Sequence, residues 1–390
     1  MHYLTSMNSD TSSEPSEPSD AHSQESVAAA SVKPRCRVLH LLIETPETVM
    51  AYKEFVVAQA DRHKISVCTY FKSISKMPEG VTLFEGDRTL FGFWRALKVA
   101  LRSDDFDAIH AHFPNVAVPL ILVSFWKFSL MRKTVFTVHT SYPNLKLRNR
   151  LLLLLVFACF RTIICCSRSS YESFPWLYRR LAGKRLSYIR NGVDTKRIDR
   201  IRRQGVPRNG ETFTVITACR FVSIKNLQTA LLAFKKCGDT GSRFIVVGDG
   251  PLSDQLKQLS RQEGFDEQVE FTGLIDRDEV YKKMLNADLF ISTSLGEGLP
   301  IAVMEAMACG CPVLLSDIEP HREIADDAGF IPLVKPDDLH GFAKEIKRFR
   351  SKSKAERAEI GDKCRQLMEN QFSLDVMHAA YERVYLSGTH

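Results

Sequence analysis

The sequence predicts an α/β protein with two doubly wound domains, and three observations support this prediction. Short apolar segments of strand length, such as 38–43, 65–68, 108–113 and 134–139, alternate with helical segments. Buried strands separated by helices are typical of a parallel sheet covered on both faces. The 390 residues exceed the usual size of one domain. A polar and basic segment, 194–210, separates two such series of strands.

The order of the segments predicts five parts. Residues 1–34 are rich in Ser, Glu, Asp and Pro, so we expect a disordered tail. The first domain is expected over 35–193, with a further strand at 161–167 and a helix at 47–62, and the linker over 194–210. The second domain is expected over 211–372, followed by a final helix within 373–390. The predicted strands of the second domain are 213–218, 244–248, 269–271, 289–292 and 312–315. Its predicted helices are 227–236, 252–264 and 280–287, and three further helices are predicted towards the carboxyl terminus at 338–349, 355–369 and 374–386.

Composition and charge narrow the function classes. The chain is 44% hydrophobic and 25% charged, as in ordinary globular proteins. It lacks a run of eighteen apolar residues and a recognisable signal peptide, and its ten cysteines lack metal-site spacing. We therefore expect buried thiols and a cytoplasmic protein. The net charge is +7, but no recognition motif accompanies it, which disfavours nucleic-acid binding.

The segment 291–316 is predicted as strand, tight loop, helix and second strand. Gly296 and Gly298 interrupt the chain after the first strand, Pro300 suits the first turn of a helix, and Gly310 suits its end. A helix that begins after a glycine-containing loop presents free N–H groups and the positive end of its dipole. Both features suit a phosphate group.

Two acidic residues, Glu297 and Glu305, belong to this segment. A carboxylate near a phosphate site can hold two vicinal hydroxyls of a ribose or a hexose, whereas a single loop glutamate is more often only solvated. The run E-G-L-P-I-A-V-M-E-A-M-A-C-G-C-P-V resembles the E-x7-E signature of the retaining glycosyltransferases of family 4, which have the two-domain GT-B fold. The resemblance implies that Glu297 lies beside the donor sugar and that Glu305 binds the nucleotide ribose. It also assigns to the donor site Gly298, Leu299, Pro300 and Ile301.

Two cations follow the first strand of the second domain. Arg220 and Lys225 are similar to the family's G-R-(x)n-K-G element, whose cations neutralise the two phosphates of the donor. Here Cys219 precedes the arginine and Asn226 replaces the final glycine. We therefore keep the phosphate clamp as a prediction and expect a different loop geometry. Two surface cations without a role are the alternative.

Further donor contacts follow from the same resemblance. Gly248 belongs to a G-x-G-P turn, and the strand end at Gly273, Leu274 and Ile275 is implied to border the nucleobase. His139, in T-V-H-T, resembles the histidine that faces the donor sugar across the cleft, although a histidine at a strand end is also commonly structural.

Two more histidines and one turn also resemble motifs of this family. His110 and His112 match a strand motif and are open to a structural interpretation. The N-G-V-D turn 191–194 resembles the close of the first domain and is interpreted as architectural.

The resemblance implies two Rossmann-like domains across a cleft, with the last helix crossing back to the first domain. It also implies transfer of a hexosyl group from a UDP- or GDP-hexose to a glycan or glycolipid acceptor, with the leaving group stabilised by Arg220 and Lys225. The pairs 105–107 and 276–278 look like D-x-D metal motifs, but they suit a strand entry and a helix cap. No metal or other cofactor is therefore predicted as essential.

Several alternatives stay open. A nucleotide-sugar epimerase or phosphorylase of similar fold, or a non-catalytic nucleotide-sugar-binding protein, would share these motifs. The loop 44–48 lacks the Gly-Gly turn of many relatives, which makes the acceptor side hard to predict. Between 127 and 208 there are nineteen Lys or Arg against three acids. That stretch is interpreted either as solvated helix faces or as a surface that contacts anionic lipid on the inner face of a membrane.

Overall fold

The computed structural model describes residues 36–46, 49–73, 75–205, 212–238, 240–325 and 328–387. The predicted disordered tail, 1–34, lies outside this range. So do residues 47 and 48 of the glycine-free loop and most of the second half of the predicted linker. Two parallel sheets, each covered by helices, form the described part, as the alternation of apolar strands and helical segments predicts.

The first sheet has seven parallel strands in the order β3-β2-β1-β4-β5-β6-β7. The strand order reverses between β1 and β4, and the crevice beyond the carboxyl ends of these two strands is where such sheets bind ligands. The strands are β1 (Arg37–Leu42), β2 (Lys64–Thr69), β3 (Thr82–Glu85), β4 (Ala108–Ala111), β5 (Thr134–Val138), β6 (Thr162–Cys165) and β7 (Leu186–Tyr188).

Helices cover both faces of this sheet. The predicted helix 47–62 is shorter than expected: α1 is followed at once by a 3-10 turn, Val57–Gln59. The helices are α1 (Met50–Phe55), α2 (Leu90–Ser103), α3 (Pro114–Ser124), α4 (Phe128–Met131), α5 (Leu147–Cys159), α6 (Arg168–Glu172) and α7 (Trp176–Ala182). Among the described helices, none combines the length and the apolar character that a membrane span needs.

The second sheet has six parallel strands in the order β10-β9-β8-β11-β12-β13. Its strands are β8 (Thr214–Ala218), β9 (Arg243–Val247), β10 (Val269–Gly273), β11 (Leu289–Ser292), β12 (Val313–Ser316) and β13 (Leu333–Val334). The helices are α8 (Thr195–Arg203), α9 (Leu227–Lys236), α10 (Ser253–Gln262), α11 (Arg277–Asn286), α12 (Ile301–Ala308), α13 (Glu319–Ala325), α14 (Leu339–Ser351) and α15 (Lys354–Gln371).

The described part of the segment predicted as a linker, 194–205, is largely helical. Helix α8 begins after Asp194, whose carboxylate accepts a hydrogen bond from the N–H of Arg197 at 2.9 Å. Ile198 and Ile201, one helical turn apart, are buried in the core of the second domain. The polar and basic composition of the segment concealed this short amphipathic pattern.

The last helix, α16 (Leu374–Ser387), crosses back to the first sheet as predicted. Met377, Tyr381 and Tyr385 pack in a buried cluster with Val38, Ala108 and other first-domain residues. The Tyr381 hydroxyl lies 3.0 Å from the Thr137 hydroxyl. The chain therefore ties its two domains together through its carboxyl-terminal helix. Eight of the ten cysteines are buried, which agrees with the prediction of core thiols.

Candidate active site

A cleft of about 1290 Å³ lies between the two domains and brings together every predicted site residue. The first domain contributes Lys53 of α1 and residues that follow β5, and the second contributes the segments that follow β8, β9, β10 and β11. The predicted residues that line it are His139, Arg220, Lys225, Gly248, Gly273, Leu274, Ile275, Glu297, Gly298, Leu299, Pro300, Ile301 and Glu305.

Lys225 and Glu297 form an ion pair in the cleft. The Lys225 Nζ lies 2.5 Å from Oε1 and 2.6 Å from Oε2 of Glu297, and the Ser294 hydroxyl donates to Oε1 at 2.7 Å. The Glu297 side chain is only 10% exposed. In a partly buried site such charge-assisted hydrogen bonds are strong. The two side chains, to which sequence reasoning gave separate roles, therefore hold each other.

Asn226 explains how the loop works without its expected glycine. Its φ of 50° lies in the left-handed region, which asparagine tolerates better than most residues. The Asn226 side-chain amide donates to the Pro336 carbonyl at 3.0 Å, and the Asn226 backbone carbonyl accepts from the Thr293 hydroxyl at 2.8 Å. The 3-10 turn Ser223–Lys225 is thus held in place, and Lys225 keeps the position that the pattern predicts.

Arg220 is exposed in the cleft, and its position depends on close backbone packing. A Cβ added to Gly248, whose φ is 124°, would lie 2.0 Å from the Cys219 carbonyl oxygen. A Cβ on Gly250 would lie 2.6 Å from the carbonyl oxygen of Phe221. The glycine turn is therefore pressed against the segment that carries Arg220, and within the described chain the guanidinium forms no ion pair. Its charge is available to an anion.

Glu305 is held by two neighbours that the sequence did not predict. Its Oε1 accepts from the guanidinium of Arg277 and, at 2.7 Å, from the hydroxyl of Tyr281. Burial, followed by the nearby Glu305 charge, raises the pKa of Tyr281, so this hydroxyl stays a donor. Oε2 accepts no hydrogen bond from the described residues and is left for a ligand. Glu305 is thus a buried but partnered carboxylate.

Helix α12 begins directly after Pro300, as the pattern predicts, and its first turn lines the cleft. The loop before it also touches the first domain. A Cβ on Gly298 would lie 2.9 Å from the carbonyl oxygen of His139, and the Ser141 hydroxyl donates to the Glu297 carbonyl at 3.0 Å. The loop before α12 therefore rests against the first domain with no room for a side chain at Gly298.

His139 follows β5 and lines the cleft from the first domain. Its Nε2 lies 3.1 Å from Nδ1 of His112, whereas its buried Nδ1 has no hydrogen-bond partner among the described residues. Burial lowers the pKa of His139 to about 4, so the ring is neutral at physiological pH. His112 and His110 are fully buried and do not line the cleft.

The strand end at Gly273 combines an open glycine with an exposed apolar side chain. Gly273 has a φ of 68° and open space where a side chain would stand, and its carbonyl accepts from the N–H of Gly248 at 3.1 Å. Leu274 is 81% exposed.

The two D-x-D pairs have structural partners. Asp105 is bonded to Lys133 at 2.8 Å, and Asp107 accepts from the N–H of Arg37 at 2.7 Å. Asp276 caps α11 by accepting from the N–H of Asp278, as predicted, and Asp278 pairs with Arg197 at 2.6 Å.

Sequence reasoning missed several charged residues of the cleft. Arg197, Arg277 and Lys53 line it, and Lys53 is a buried lysine whose Nζ lies 3.3 Å from Oε1 of Glu54. Arg277 was visible only as the middle of a D-x-D pattern. Lys53 is in a short helix after the glycine-free loop, where no motif marks it.

Two facing Rossmann-like domains, a cleft at their strand ends and a returning last helix define the GT-B architecture. Residues 199–367 match the family model described as "Glycosyl transferases group 1", and residues 53–197 match the model described as "Glycosyltransferase Family 4". The two models meet near the start of α8 and together span most of both domains. The chain belongs to the group 1 glycosyltransferases of the GT-B type.

Curated relatives are distant. The chain is 28% identical over 205 residues to the putative colanic acid biosynthesis glycosyltransferase WcaL of Escherichia coli K12, a match that covers 50% of this chain and 49% of the relative. It is 26% identical over 252 residues to a GDP-mannose:cellobiosyl-diphosphopolyprenol alpha-mannosyltransferase of Komagataeibacter xylinus, with 62% and 61% coverage. These two matches span less than two thirds of either relative. A UDP-Gal:alpha-D-GlcNAc-diphosphoundecaprenol alpha-1,3-galactosyltransferase of Escherichia coli is 23% identical, with 73% and 75% coverage.

Solved structures share the fold. The sucrose-phosphate synthase of Thermosynechococcus elongatus superposes with a TM-score of 0.73 at 16% identity, over 90% of this chain and 98% of that one. Anabaena HepE in complex with UDP-glucose superposes with a TM-score of 0.70 at 19% identity, over 90% and 100%.

Proposed function

We propose that the protein is a retaining glycosyltransferase that moves a hexosyl group from a nucleoside-diphosphate sugar to a glycan or glycolipid acceptor. The observation that carries this proposal is one interdomain cleft in which Arg220, Lys225, Glu297 and Glu305 meet the first turn of α12. Three similar proteins support a nucleotide sugar as donor. HepE has been solved with UDP-glucose, the galactosyltransferase is named for UDP-Gal, and the mannosyltransferase is named for GDP-mannose. We expect a UDP- or GDP-hexose here.

The leaving group is stabilised by fixed positive charge. As the bond between the sugar and the diphosphate breaks, negative charge grows on the phosphate oxygens, and groups aimed at that charge lower the barrier. Arg220 has no competing ion pair in the described structure, Lys225 has a third N–H beyond the two bonded to Glu297, and α12 adds its amino-terminal dipole. These groups suffice for the proposed role without an essential metal ion.

The sugar is held from both domains. Glu297 accepts hydrogen bonds from sugar hydroxyls, and His139 contacts the sugar from the opposite wall through Nδ1. The acceptor hydroxyl oxygen bonds to the anomeric carbon on the face that the diphosphate leaves, and its proton passes to an oxygen of the departing phosphate. Glu297 does not form a covalent adduct in this scheme, because its carboxylate is bonded to Lys225 and Ser294.

The nucleoside is held at the far end of the cleft. Glu305, fixed by Arg277 and Tyr281, binds the ribose hydroxyls through Oε2. The backbone of Gly273 and its neighbours Leu274 and Ile275 borders the base.

A surface of the first domain suits a membrane-bound acceptor. Helix α5 lies between α3 and α7, and Leu147, Leu151 and Leu155 on it are exposed at four-residue intervals. Further exposed apolar residues lie on α3, α4 and α7 and in the loop between α3 and α4. We call these residues and the three leucines of α5 the apolar patch. The other members are Leu122, Phe125, Trp126, Phe128, Trp176, Leu177 and Leu181.

Exposed cations accompany the apolar patch. They are Lys127, Lys146, Arg148, Arg179, Arg180 and Lys184. A mixture of exposed aromatic, aliphatic and basic residues fits the headgroup region of an anionic bilayer, where each cation adds about 1 kcal/mol. We propose peripheral contact with such a membrane.

Thermal-shift screening against UDP-, GDP- and ADP-sugars tests the donor proposal. A bound donor raises the melting temperature by mass action, and transfer of a labelled sugar to a lipid or glycan acceptor then establishes the reaction. Interconversion of the donor without acceptor would identify an epimerase instead. A dependence on inorganic phosphate or pyridoxal phosphate would identify a phosphorylase, and binding without any transfer would favour a non-catalytic protein.

A further inference from the structure

Three histidines form a continuous hydrogen-bonded chain that runs from the core of the first domain to the cleft. Nδ1 of His40, on β1, lies 3.0 Å from Nε2 of His112, which directly follows β4. Nδ1 of His112 lies 3.1 Å from Nε2 of His139, which directly follows β5. The chain thus crosses three adjacent strands of the sheet, because β1, β4 and β5 are neighbours.

Hydrogen-bond chemistry couples the three rings. A neutral imidazole has one N–H donor and one nitrogen acceptor. His112 uses both nitrogens within the chain, so it must donate to one neighbour and accept from the other. The N–H groups of all three rings therefore point in the same direction along the chain. The role of Nδ1 of His139, as donor or as acceptor, is therefore coupled to the tautomers of His112 and His40.

The surroundings keep the chain neutral. Burial lowers the pKa of His40 to about 3 and that of His139 to about 4, and burial also lowers the pKa of His112 well below its usual range. Among the described residues, the groups that face the chain include the ring of Phe55 and two further buried histidines, His110 and His63. With one proton on each ring, the alternation of donor and acceptor is maintained at physiological pH.

One end of the chain is incomplete. Nδ1 of His139 is buried and has no hydrogen-bond partner among the described residues, and His139 is one of the residues that line the cleft. A buried polar atom without a partner is costly, so a ligand group that bonds it gains that free energy back.

We propose that His112 and His40 are positioning residues that hold His139 in one tautomer and one orientation, so that Nδ1 meets a hydroxyl of the donor sugar in a fixed role. This inference rests on the proposed function. The inference goes beyond the proposed function, because it assigns a role to two buried histidines that do not touch the substrate. His110 is the natural comparison: it belongs to β4, its ring centroid lies 4.0 Å from that of His112, and both of its nitrogens are bonded to hydroxyls outside the chain, those of Tyr385 and Thr137.

The test uses the full-length protein with ¹⁵N-labelled histidine. In His112→Leu we expect the nitrogen spectrum of His139 to change from a single tautomer to a mixture, because its ordering partner is gone. His112→Asn keeps an amide near the Nδ1 position that can still bond Nε2 of His139, so its His139 spectrum should lie closer to that of the wild type than the spectrum of His112→Leu does. His110→Gln leaves the chain intact, so the His139 signal should stay single. A single, unchanged His139 tautomer in folded His112→Leu would overturn the proposal.

Kinetics provide a second readout. With the donor found by screening, we expect kcat/KM to fall about 10-fold in His112→Leu and to recover in His112→Asn, at unchanged acceptor KM. An equal loss in His112→Leu, His112→Asn and His110→Gln would indicate a merely structural role and contradict the proposal. If no nucleotide sugar binds the wild type or any variant, the proposed function is wrong. The nitrogen spectra then still test whether His112 fixes the tautomer of His139.

Metal binding is the competing use of these rings. Ring nitrogens of His40, His110 and His112 lie within 4.8 Å of one another, but hydrogen bonds already occupy both nitrogens of His110 and His112. A metal ion would need their lone pairs. Elemental analysis of the purified protein should find no stoichiometric metal. One metal per chain that is lost in His40→Gln would overturn the hydrogen-bonded chain.

Discussion

The ammonium of Lys225 lies within 2.6 Å of both carboxylate oxygens of Glu297. These residues come from different loops of the second domain, one after β8 and the other after β11, which are adjacent strands. In the proposed reaction each has a different ligand group, the lysine a phosphate and the glutamate a sugar hydroxyl. The ion pair holds both side chains in place before the donor arrives.

Neutralising each partner separately should have opposite effects on nucleotide binding. Lys225→Gln removes a charge-assisted contact and should weaken binding of the nucleoside diphosphate about 10- to 100-fold. Glu297→Gln releases the lysine, so the diphosphate should bind at least as tightly as in the wild type while kcat falls. Titration of the sugar-free nucleotide against both variants checks this. Equal weakening of the diphosphate in both variants would contradict separate roles.

Glu305→Gln should abolish ribose discrimination. In the wild type we expect the 2′-deoxynucleotide to bind about 10-fold more weakly than the ribonucleotide, because Oε2 loses a hydroxyl partner. In Glu305→Gln the two nucleotides should bind alike. The comparison is a double-mutant cycle between side chain and hydroxyl, so general loss of stability cancels.

That cancellation is needed because the substitution also affects folding. Removing the carboxylate leaves the charge of Arg277 partly buried, and breaking such a pair costs about 3–5 kcal/mol when burial is complete. If Glu305→Gln still binds the ribonucleotide more tightly than the 2′-deoxynucleotide, Glu305 does not bind the ribose.

Gly298→Ala should show whether sugar transfer depends on the close contact between the loop before α12 and the first domain. The new Cβ would lie 2.9 Å from the His139 carbonyl oxygen and 3.2 Å from Cα of Thr140, both of them backbone, so the loop and the first domain must shift relative to each other. Gly296→Ala is the matched control, since its Cβ would meet side chains of Ile224 and Asn144 at 3.3 and 3.4 Å. We expect transfer to fall at least 10-fold in Gly298→Ala and to change little in Gly296→Ala. Similar rates in the two variants would show that the close approach is not needed.

Local patterns predicted the unit around helix α12 well. The strand β11, its glycine loop, helix α12 and strand β12 follow one another within 289–316, and each carries its own signal of apolar run, glycine or proline. The crossing of α16 and the position of Arg220 were predicted for the same reason, because the motif that marks each is continuous in sequence.

Long-range pairings could not be predicted. Lys225 and Glu297 are 72 residues apart, as are His40 and His112, and no local pattern indicates that such groups meet. The strands β7 and β13, of three and two residues, are too short for a periodic signal. Helix α8 was taken for a linker because only two of its nine residues are buried hydrophobics.

Membrane binding should depend on the apolar patch. Leu151 is 60% exposed on α5, and its replacement by serine should weaken sedimentation with vesicles that contain phosphatidylglycerol. Val376→Ser, at a residue 46% exposed on α16, is the control for loss of one surface aliphatic side chain. We expect wild-type binding to fall at high salt, because screening weakens the contribution of the basic residues. Binding that is the same in both variants, or that occurs equally on neutral vesicles, would contradict the proposed surface.

The central claim is that the cleft holds a nucleoside diphosphate by the positive charge of the second domain. Calorimetric titration of UDP and GDP into wild type and Arg220→Gln, each with EDTA present, tests it most directly. We predict that one of the two nucleotides binds one site per wild-type chain without metal, and that Arg220→Gln weakens it about 10- to 100-fold. Equal affinity in the two proteins, or binding that appears only when a divalent metal is restored, would contradict the account.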